Sequence, residues 1–364
     1  MFHNMRNSTK NGTLLENTAL EILGQHLSPQ WILEISSDKS INKKLIIKAP
    51  NGNQIDFDFI SRKNISPKDI HHLLSRNDKN IILVATFLSL RSRNLLTEYG
   101  ASYVDTTGNL RLVASDPAIF IEVKSEKKDP QSHKRDLKSL KGAATARVIR
   151  ALCDFEPSYG VRSLAKRASV PLGTTSRVVN FLEEEALLRR DAKKQIIYVN
   201  LPDLMIRWTQ DYNVLSSNKV FSYLEPRHLS TLTSKLQKLD RYAVTGSIAG
   251  PSIAPSRLAM IYVDDAKNAA KILDLTPTDT GANVWLIEPY DEVVFERIQL
   301  IKLPSMLNES INAVAQSQLI ADLMTSPGRG PQEAEVFLEQ MKKTTVFTDE
   351  ELEFEFRNLN TSPP

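Results

Sequence analysis

Residues 140–201 constrain the chain most, because short apolar-faced runs and chain breaks follow one another there in a restrictive order. Ala144, Val148, Ile149 and Leu152 recur at helical spacing, which predicts a scaffold helix over 144–152. Tyr159-Gly160 interrupts it. Residues 161–168 (VRSLAKRA) predict a second, short helix with Val161, Leu164 and Ala165 inward. Residues 169–173 (SVPLG) read as a turn, and 174–187 as a third helix whose Val178, Val179, Leu182 and Leu187 face a core. Thr174, Thr175, Ser176, Arg177 and Asn180 are expected to face outward. Residues 188–201 (LRRDAKKQIIYVNL) read as a β-hairpin carrying Arg189, Arg190, Lys193 and Lys194 at its tip. Three helices followed by a hairpin form a winged helix-turn-helix, and that fold is expected here.

The chemistry of that segment suits DNA. The polar run opens the third helix, at the end that a recognition helix inserts into the major groove. Hydroxyls and backbone N–H groups there suit phosphate, and Arg177 has the fork geometry for guanine O6 and N7. The hairpin cations suit backbone or minor-groove contact. Between residues 134 and 194 there are 14 Lys or Arg against 7 Asp or Glu, whereas the whole chain is only +3. Basic charge is therefore concentrated on this segment. A winged helix used for protein contacts, or a helical hairpin inside a larger core, fits the same spacing.

A length of 364 residues implies two or three domains, and 41% apolar with 24% charged residues is ordinary for a soluble globular protein. Cys153 is the only cysteine, expected buried on the scaffold helix. It rules out an internal disulfide and a cysteine-rich zinc site, and it suits a reducing compartment. The first residues are polar with no hydrophobic signal core, and no run reaches the length of a membrane span. The expectation is a cytoplasmic protein without membrane contact.

Around the central segment, mixed helices and strands predict an α/β domain over 1–125, beginning with a helix at 13–27. The run 81–87 is almost unbroken in its apolar character, as in a strand covered on both faces. Residues 126–139 read as a linker, 202–345 as a C-terminal α/β domain, and 346–364 as an acidic tail. In that tail Leu352, Phe354 and Phe356 alternate with acids, a pattern that pairs with a sheet edge or stays loose.

Two constellations suggest catalysis. Restriction-type nucleases hold Mg²⁺ with a strand-borne Asp and a Glu/Asp-x-Lys on the next strand. Asp105, Glu122 and Lys124 offer such a set, with Glu16 as an extra ligand. The chain order instead points to Asp56 and Asp58, followed by a strand at 81–87 that carries no charge. The expectation is therefore a degenerate restriction-nuclease-like scaffold, the alternative being a Mg²⁺-dependent nuclease targeted by the winged helix. Thr245-Gly246-Ser247 followed by Asp264-Asp265 suggests a nucleotidyltransferase-like fold, but adjacent aspartates on a strand point to opposite faces and cannot chelate together. Residues 327–331 (PGRGP) read as a turn before a helix. The six histidines form no ligand pattern, and no cofactor or metal is expected.

Several segments together resemble bacterial AbiEi-family antitoxins of type IV toxin–antitoxin systems. They are residues 103–109 (YVDTTGN), 139–142 (SLKG), the winged-helix segment, 242–247 (YAVTGS), 282–284 (ANV), 318–323 (QLIADL) and 327–330 (PGRG). Compact members of that family begin with the winged helix, whereas here residues 1–125 precede it. Longer relatives carry a leading domain similar to a restriction nuclease without a complete active site. The resemblance implies a transcriptional regulator in phage defence that binds operator DNA and represses its own operon. The partner gene would encode a nucleotidyltransferase-like toxin, with direct contact left open.

Overall fold

The computed structural model describes residues 14–36, 43–74, 80–125, 139–227, 229–250, 257–302 and 310–344. All of the expected linker at 126–139 except Ser139, and the acidic tail, lie outside them. The chain divides into two compact units, Met1–Asp136 with Glu183–Ala186, and Leu137–Leu182 with Leu187–Pro364. It is a mixed α/β multidomain protein, with three sheets among the described residues.

In the first unit α1 (Leu14–His26) leads into β1 (Ile32–Ser36), β2 (Lys43–Lys48), β3 (Gln54–Arg62), α2 (Pro67–Leu74), β4 (Ile81–Ala85), α3 (Leu90–Glu98), β5 (Ser102–Asp105), β6 (Leu110–Ser115) and β7 (Ala118–Val123). The seven strands form one sheet in sequence order. Only β3–β4 and β4–β5 pair in parallel. Those are the two steps that need a crossover, and α2 and α3 supply them. Ser66 and Asp69 cap α2 reciprocally, and Ser89 Oγ accepts from Ser92 N at the start of α3. The alternation of β4 explains its apolar run. Ile82 and Val84 pack with Ala19, Leu20 and Leu23 of α1, whereas Ile81, Leu83 and Ala85 pack with Ile70, Leu95 and Leu96 of α2 and α3. β6 is a strand that the sequence reading lacks. Its Leu110 and Leu112 complete the α1-side core.

The second unit opens with α4 (Ala143–Asp154), β8 (Tyr159–Gly160), α5 (Val161–Ala168), α6 (Leu172–Glu184), β9 (Leu188–Arg190) and β10 (Gln195–Val199). The three strands form a small antiparallel sheet in the order β8-β10-β9. There follow α7 (Leu201–Thr209), α8 (Val214–Ser217), β11 (Lys219–Leu224), α9 (Leu229–Lys235), β12 (Tyr242–Thr245), β13 (Ala259–Val263), α10 (Ala266–Leu273), β14 (Thr276–Pro277), β15 (Val284–Glu288), β16 (Gln299–Lys302), β17 (Ser310–Ala313), α11 (Gln316–Thr325) and α12 (Gly330–Thr344). Their sheet runs β14-β11-β15-β13-β12-β17-β16. One apolar cluster extends from Leu140 to Leu338, through both the 140–201 segment and the residues after it. The division expected after Leu201 therefore separates no two cores. It falls at the start of α7, whose Leu204, Met205 and Trp208 are buried in that shared cluster. Among the described residues no helix is long and apolar enough to cross a membrane.

Candidate nucleic-acid interface

α5 stops at Ser169, which takes the left-handed conformation (φ 53°), and Val170 N bonds back to Ala165 O at 3.0 Å. α6 then starts at Leu172, two residues earlier than expected, because Pro171 stands before its first turn and its carbonyl accepts from Thr174 N and Thr175 N. Proline cannot donate, so this is a position where the helix loses nothing.

One assignment changes. Thr175 was expected to face outward, but it is fully buried and its Oγ1 donates to Pro171 O at 3.2 Å. In a helix, residues three, four and seven apart share a face. Thr175 therefore falls in line with Val178, Val179 and Leu182, which are buried too. Thr174 and Ser176 are half-buried, and Arg177 and Asn180 are exposed. Arg177 folds back along its own helix, donating from Nε to Gly173 O at 3.3 Å and from Nη2 to Thr174 Oγ1 at 3.4 Å. Asn180 Oδ1 accepts from Arg190 Nη2 at 2.9 Å, which holds β9 beside α6.

On the hairpin, the Arg189 guanidinium lies 4.6 Å from the Tyr198 ring centroid. Asp191 closes the tip: its Oδ1 accepts from Gln195 N and its carbonyl from Lys194 N. Lys194 adopts φ 62°, and Lys193 and Lys194 are both exposed. Arg162, Ser163 and Lys166 on α5 are also exposed, and the sequence reading passed over them. Their spacing could have found them, since Leu164, Ala165 and Ala168 are the buried positions of that helix.

Not all of the local positive charge is available. Arg147 on α4 grips Asp291, donating from Nε to both carboxylate oxygens (3.1 and 2.9 Å) and from Nη2 to Oδ1 at 2.6 Å. Arg150 is 1% exposed, lies 5.3 Å from the Trp208 ring centroid and donates twice to Gln318 Oε1. Asp154 pairs with Arg297 at 3.0 Å. These three residues form the polar stripe of α4, and in each case the partner comes from the part of the unit beyond residue 201.

Gln318 continues this network to Asp322, which accepts from Gln318 Nε2 (2.7 Å), Tyr212 Oη (2.6 Å), Thr245 Oγ1 (2.7 Å) and Tyr262 Oη. Burial drives the Asp322 carboxyl above the usual carboxylate range, against the opposing effect of its hydrogen-bond donors. Burial and then the Asp322 charge raise both phenols well above theirs. Cys153 is only partly exposed, its Sγ 3.7 Å from Met205 Sδ, and burial raises its thiol.

The nuclease candidates are engaged with other groups. Asp105 is fully buried, and its carboxylate accepts from Leu88 N, Thr107 N, Thr107 Oγ1, Asn109 N and Asn109 Nδ2. Those donors occupy the lone pairs a cation would need. Glu122 sits level with Arg111 and Tyr103, two residues along from Asp105, and it pairs with the exposed Lys124 at 3.5 Å. Glu16 bonds Lys43 at 2.8 and 2.9 Å on the α1 side of the sheet. Asp56 and Asp58 project from the opposite side, since Phe57 and Phe59 between them pack with α1.

In the second unit Asp264 pairs with Arg241, whereas Asp265 caps α10 by accepting from Asn268 N at 2.9 Å. Gly246, at φ 68°, lies against Met260, whose Sδ would stand 2.8 Å from an added Cβ. The 327–331 segment is a turn running into α12. Among the described residues no three His, Cys, Asp or Glu side chains gather at metal-binding distance. The chain matches no protein-family model, no curated protein and no solved structure, so its function has to be read from its own residues.

Proposed function

We propose that the second unit is a winged helix-turn-helix built onto an α/β body, and that the protein binds double-stranded DNA in a sequence-specific way. The observation that carries this is the joint exposure of Arg177 and Asn180 on α6 and of Lys193 and Lys194 on the hairpin, with Arg190 bonded across to Asn180. The order α4-β8-α5-α6-β9-β10, with β10 central in its sheet, agrees with a winged helix. Arg177 and Asn180 would read base edges, with Thr174 and Ser176 flanking them. Arg189, Arg190, Lys193 and Lys194 would hold phosphates. Thr175 supports α6 from within.

The AbiEi resemblance extends the reading to a cytoplasmic antitoxin-type repressor of its own promoter, with a nucleotidyltransferase-like toxin encoded nearby. In this reading the first unit is a nuclease-like scaffold without catalysis. That agrees with the saturated Asp105 carboxylate and with the separation of Glu16 from Asp56 and Asp58 by the sheet. The C-terminal body would be a nucleotidyltransferase-like scaffold lacking metal carboxylates.

The test is a gel shift of the chain's own upstream promoter, with and without Mg²⁺, scored for retention and for cleavage. Retained, intact DNA that is lost with Arg177→Ala is the expected result. Cleaved DNA that stays intact with Lys124→Ala would overturn it in favour of a targeted nuclease.

A further inference from the structure

One charged segment has no part in that reading. Residues 349–356 run Asp-Glu-Glu-Leu-Glu-Phe-Glu-Phe, with carboxylates at Asp349, Glu350, Glu351, Glu353 and Glu355. We propose that this segment docks on the α6 and hairpin face of its own chain and competes there with DNA phosphates. The proposal rests on the DNA-binding reading of that face.

Three observations support it. The first is an unneutralised surface. Arg177, Lys193 and Lys194 are exposed, and none forms an ion pair among the described residues. The Arg190–Asn180 bond keeps the helix and the hairpin side by side, so these cations flank one surface. Leu172, 46% exposed at the head of α6, gives that surface an apolar point. Acids interleaved with Leu352, Phe354 and Phe356 match cations beside an apolar spot, because such a segment brings charge and hydrocarbon together.

The second is charge balance. An excess of basic residues over 134–194 coexists with a whole-chain charge of only +3, and the five acids of 349–355 contribute to that compensation. Unlike charges on one chain attract over a Debye length of about 10 Å at 0.1 M salt.

The third is reach. α12 ends at Thr344, so Asp349 and Glu355 follow it by five and eleven residues. At about 3.3–3.6 Å per extended residue these span up to roughly 18 and 40 Å. α12 packs on α7, which starts two residues after β10 of the hairpin. A compact unit of about 200 residues has a radius of gyration near 17 Å, so a tether of up to roughly 40 Å spans most of its diameter. Tethering places the acids at an effective concentration of about a millimolar at the basic face, which makes even weak ion pairs competitive.

The test compares the native full chain with a full chain carrying Asp349→Asn, Glu350→Gln, Glu351→Gln, Glu353→Gln and Glu355→Gln. Two readouts are taken: anisotropy titration of a labelled duplex of arbitrary sequence, and zero-length carbodiimide crosslinking without DNA, mapped by mass spectrometry. The neutralised chain should bind about tenfold more tightly at about 50 mM salt, with the gap closing to about twofold at about 300 mM. The native chain should give crosslinks from the tail carboxylates to Lys193 or Lys194, lost with excess duplex. Equal affinities overturn the competition whether or not crosslinks form. Tighter binding without those crosslinks overturns docking in favour of long-range repulsion. Crosslinks in a chain that binds no DNA in either form leave docking standing and sink the DNA-binding reading. Neither signal sinks both.

Discussion

Arg147 and Arg150 on α4, and Lys193 and Lys194 on the hairpin, come from one basic stretch of sequence but meet opposite surroundings. The α4 pair turns into the body of the second unit, where Asp291 and Gln318 receive it. The hairpin pair stands at an exposed tip closed by Asp191. Charge on α4 therefore holds that helix to the residues beyond 201, and charge on the hairpin is exposed to solvent. Summed charge along a sequence does not distinguish them. Burial does, because a buried cation needs a partner within the protein.

The largest expected effect is on the α4 side. Arg147→Ala leaves the Asp291 carboxylate, itself 1% exposed, without its cation. Losing one partner of a buried pair costs about 3–5 kcal/mol, and the partial exposure of Arg147 places the expected loss near the lower figure. Urea denaturation followed by a probe in the second unit measures it, and adding Asp291→Asn should recover part of the loss. An unchanged midpoint would break the contrast between the two sets of cations.

Asp322 makes the next test. Its folded-state pKa is raised, chiefly by burial, so the folded chain binds that proton more tightly than the unfolded one. The resulting stabilisation is full below the unfolded carboxylate value and is lost as pH rises through the raised value. Asp322→Asn should flatten that part of the stability–pH curve while keeping an acceptor for Tyr212 or Thr245. Parallel curves for the two chains would refute the assignment.

Smaller effects on stability and larger ones on binding are expected at the interface. Lys193→Ala should leave the denaturation midpoint within error, weaken all duplexes alike and lower the log–log salt slope by about 0.9. Arg177→Ala should instead relax preference at one base pair by about 1–3 kcal/mol. Identical binding profiles for the two variants would remove the division between reading and anchoring. Least of all, Lys124→Ala should change neither stability nor DNA integrity, since its ion pair with Glu122 is 73% exposed on the lysine side.

Much of the central segment is legible locally. α5 spans the residues its apolar spacing predicts, and the hairpin turns where Asp191–Lys194 interrupt the apolar run. These features depend on neighbours within about four residues, which a sequence displays directly. β6, β11, β16 and β17 were not legible. Each is four to six residues long, and its partner strand decides it. Thr175 is a different case: its spacing of three, four and seven to Val178, Val179 and Leu182 already placed it on the buried face, and its hydroxyl hid this because a polar side chain in a core needs a partner such as Pro171 O.

By itself the sequence determined the spacing of α5 and α6, the basic hairpin, and the alternation that covers β4 on both faces, because backbone geometry imposes periods of 3.6 and 2 on any buried face. Only the tertiary structure decided that the polar side of α4 is an interior surface, that Leu88 N closes on the Asp105 carboxylate, and that residues 140–201 share a core with the body after them. Each of these depends on groups brought together from 17 to 168 positions apart in the chain. At such separations a side chain's partner, and therefore whether its charge faces water or protein, is set by packing.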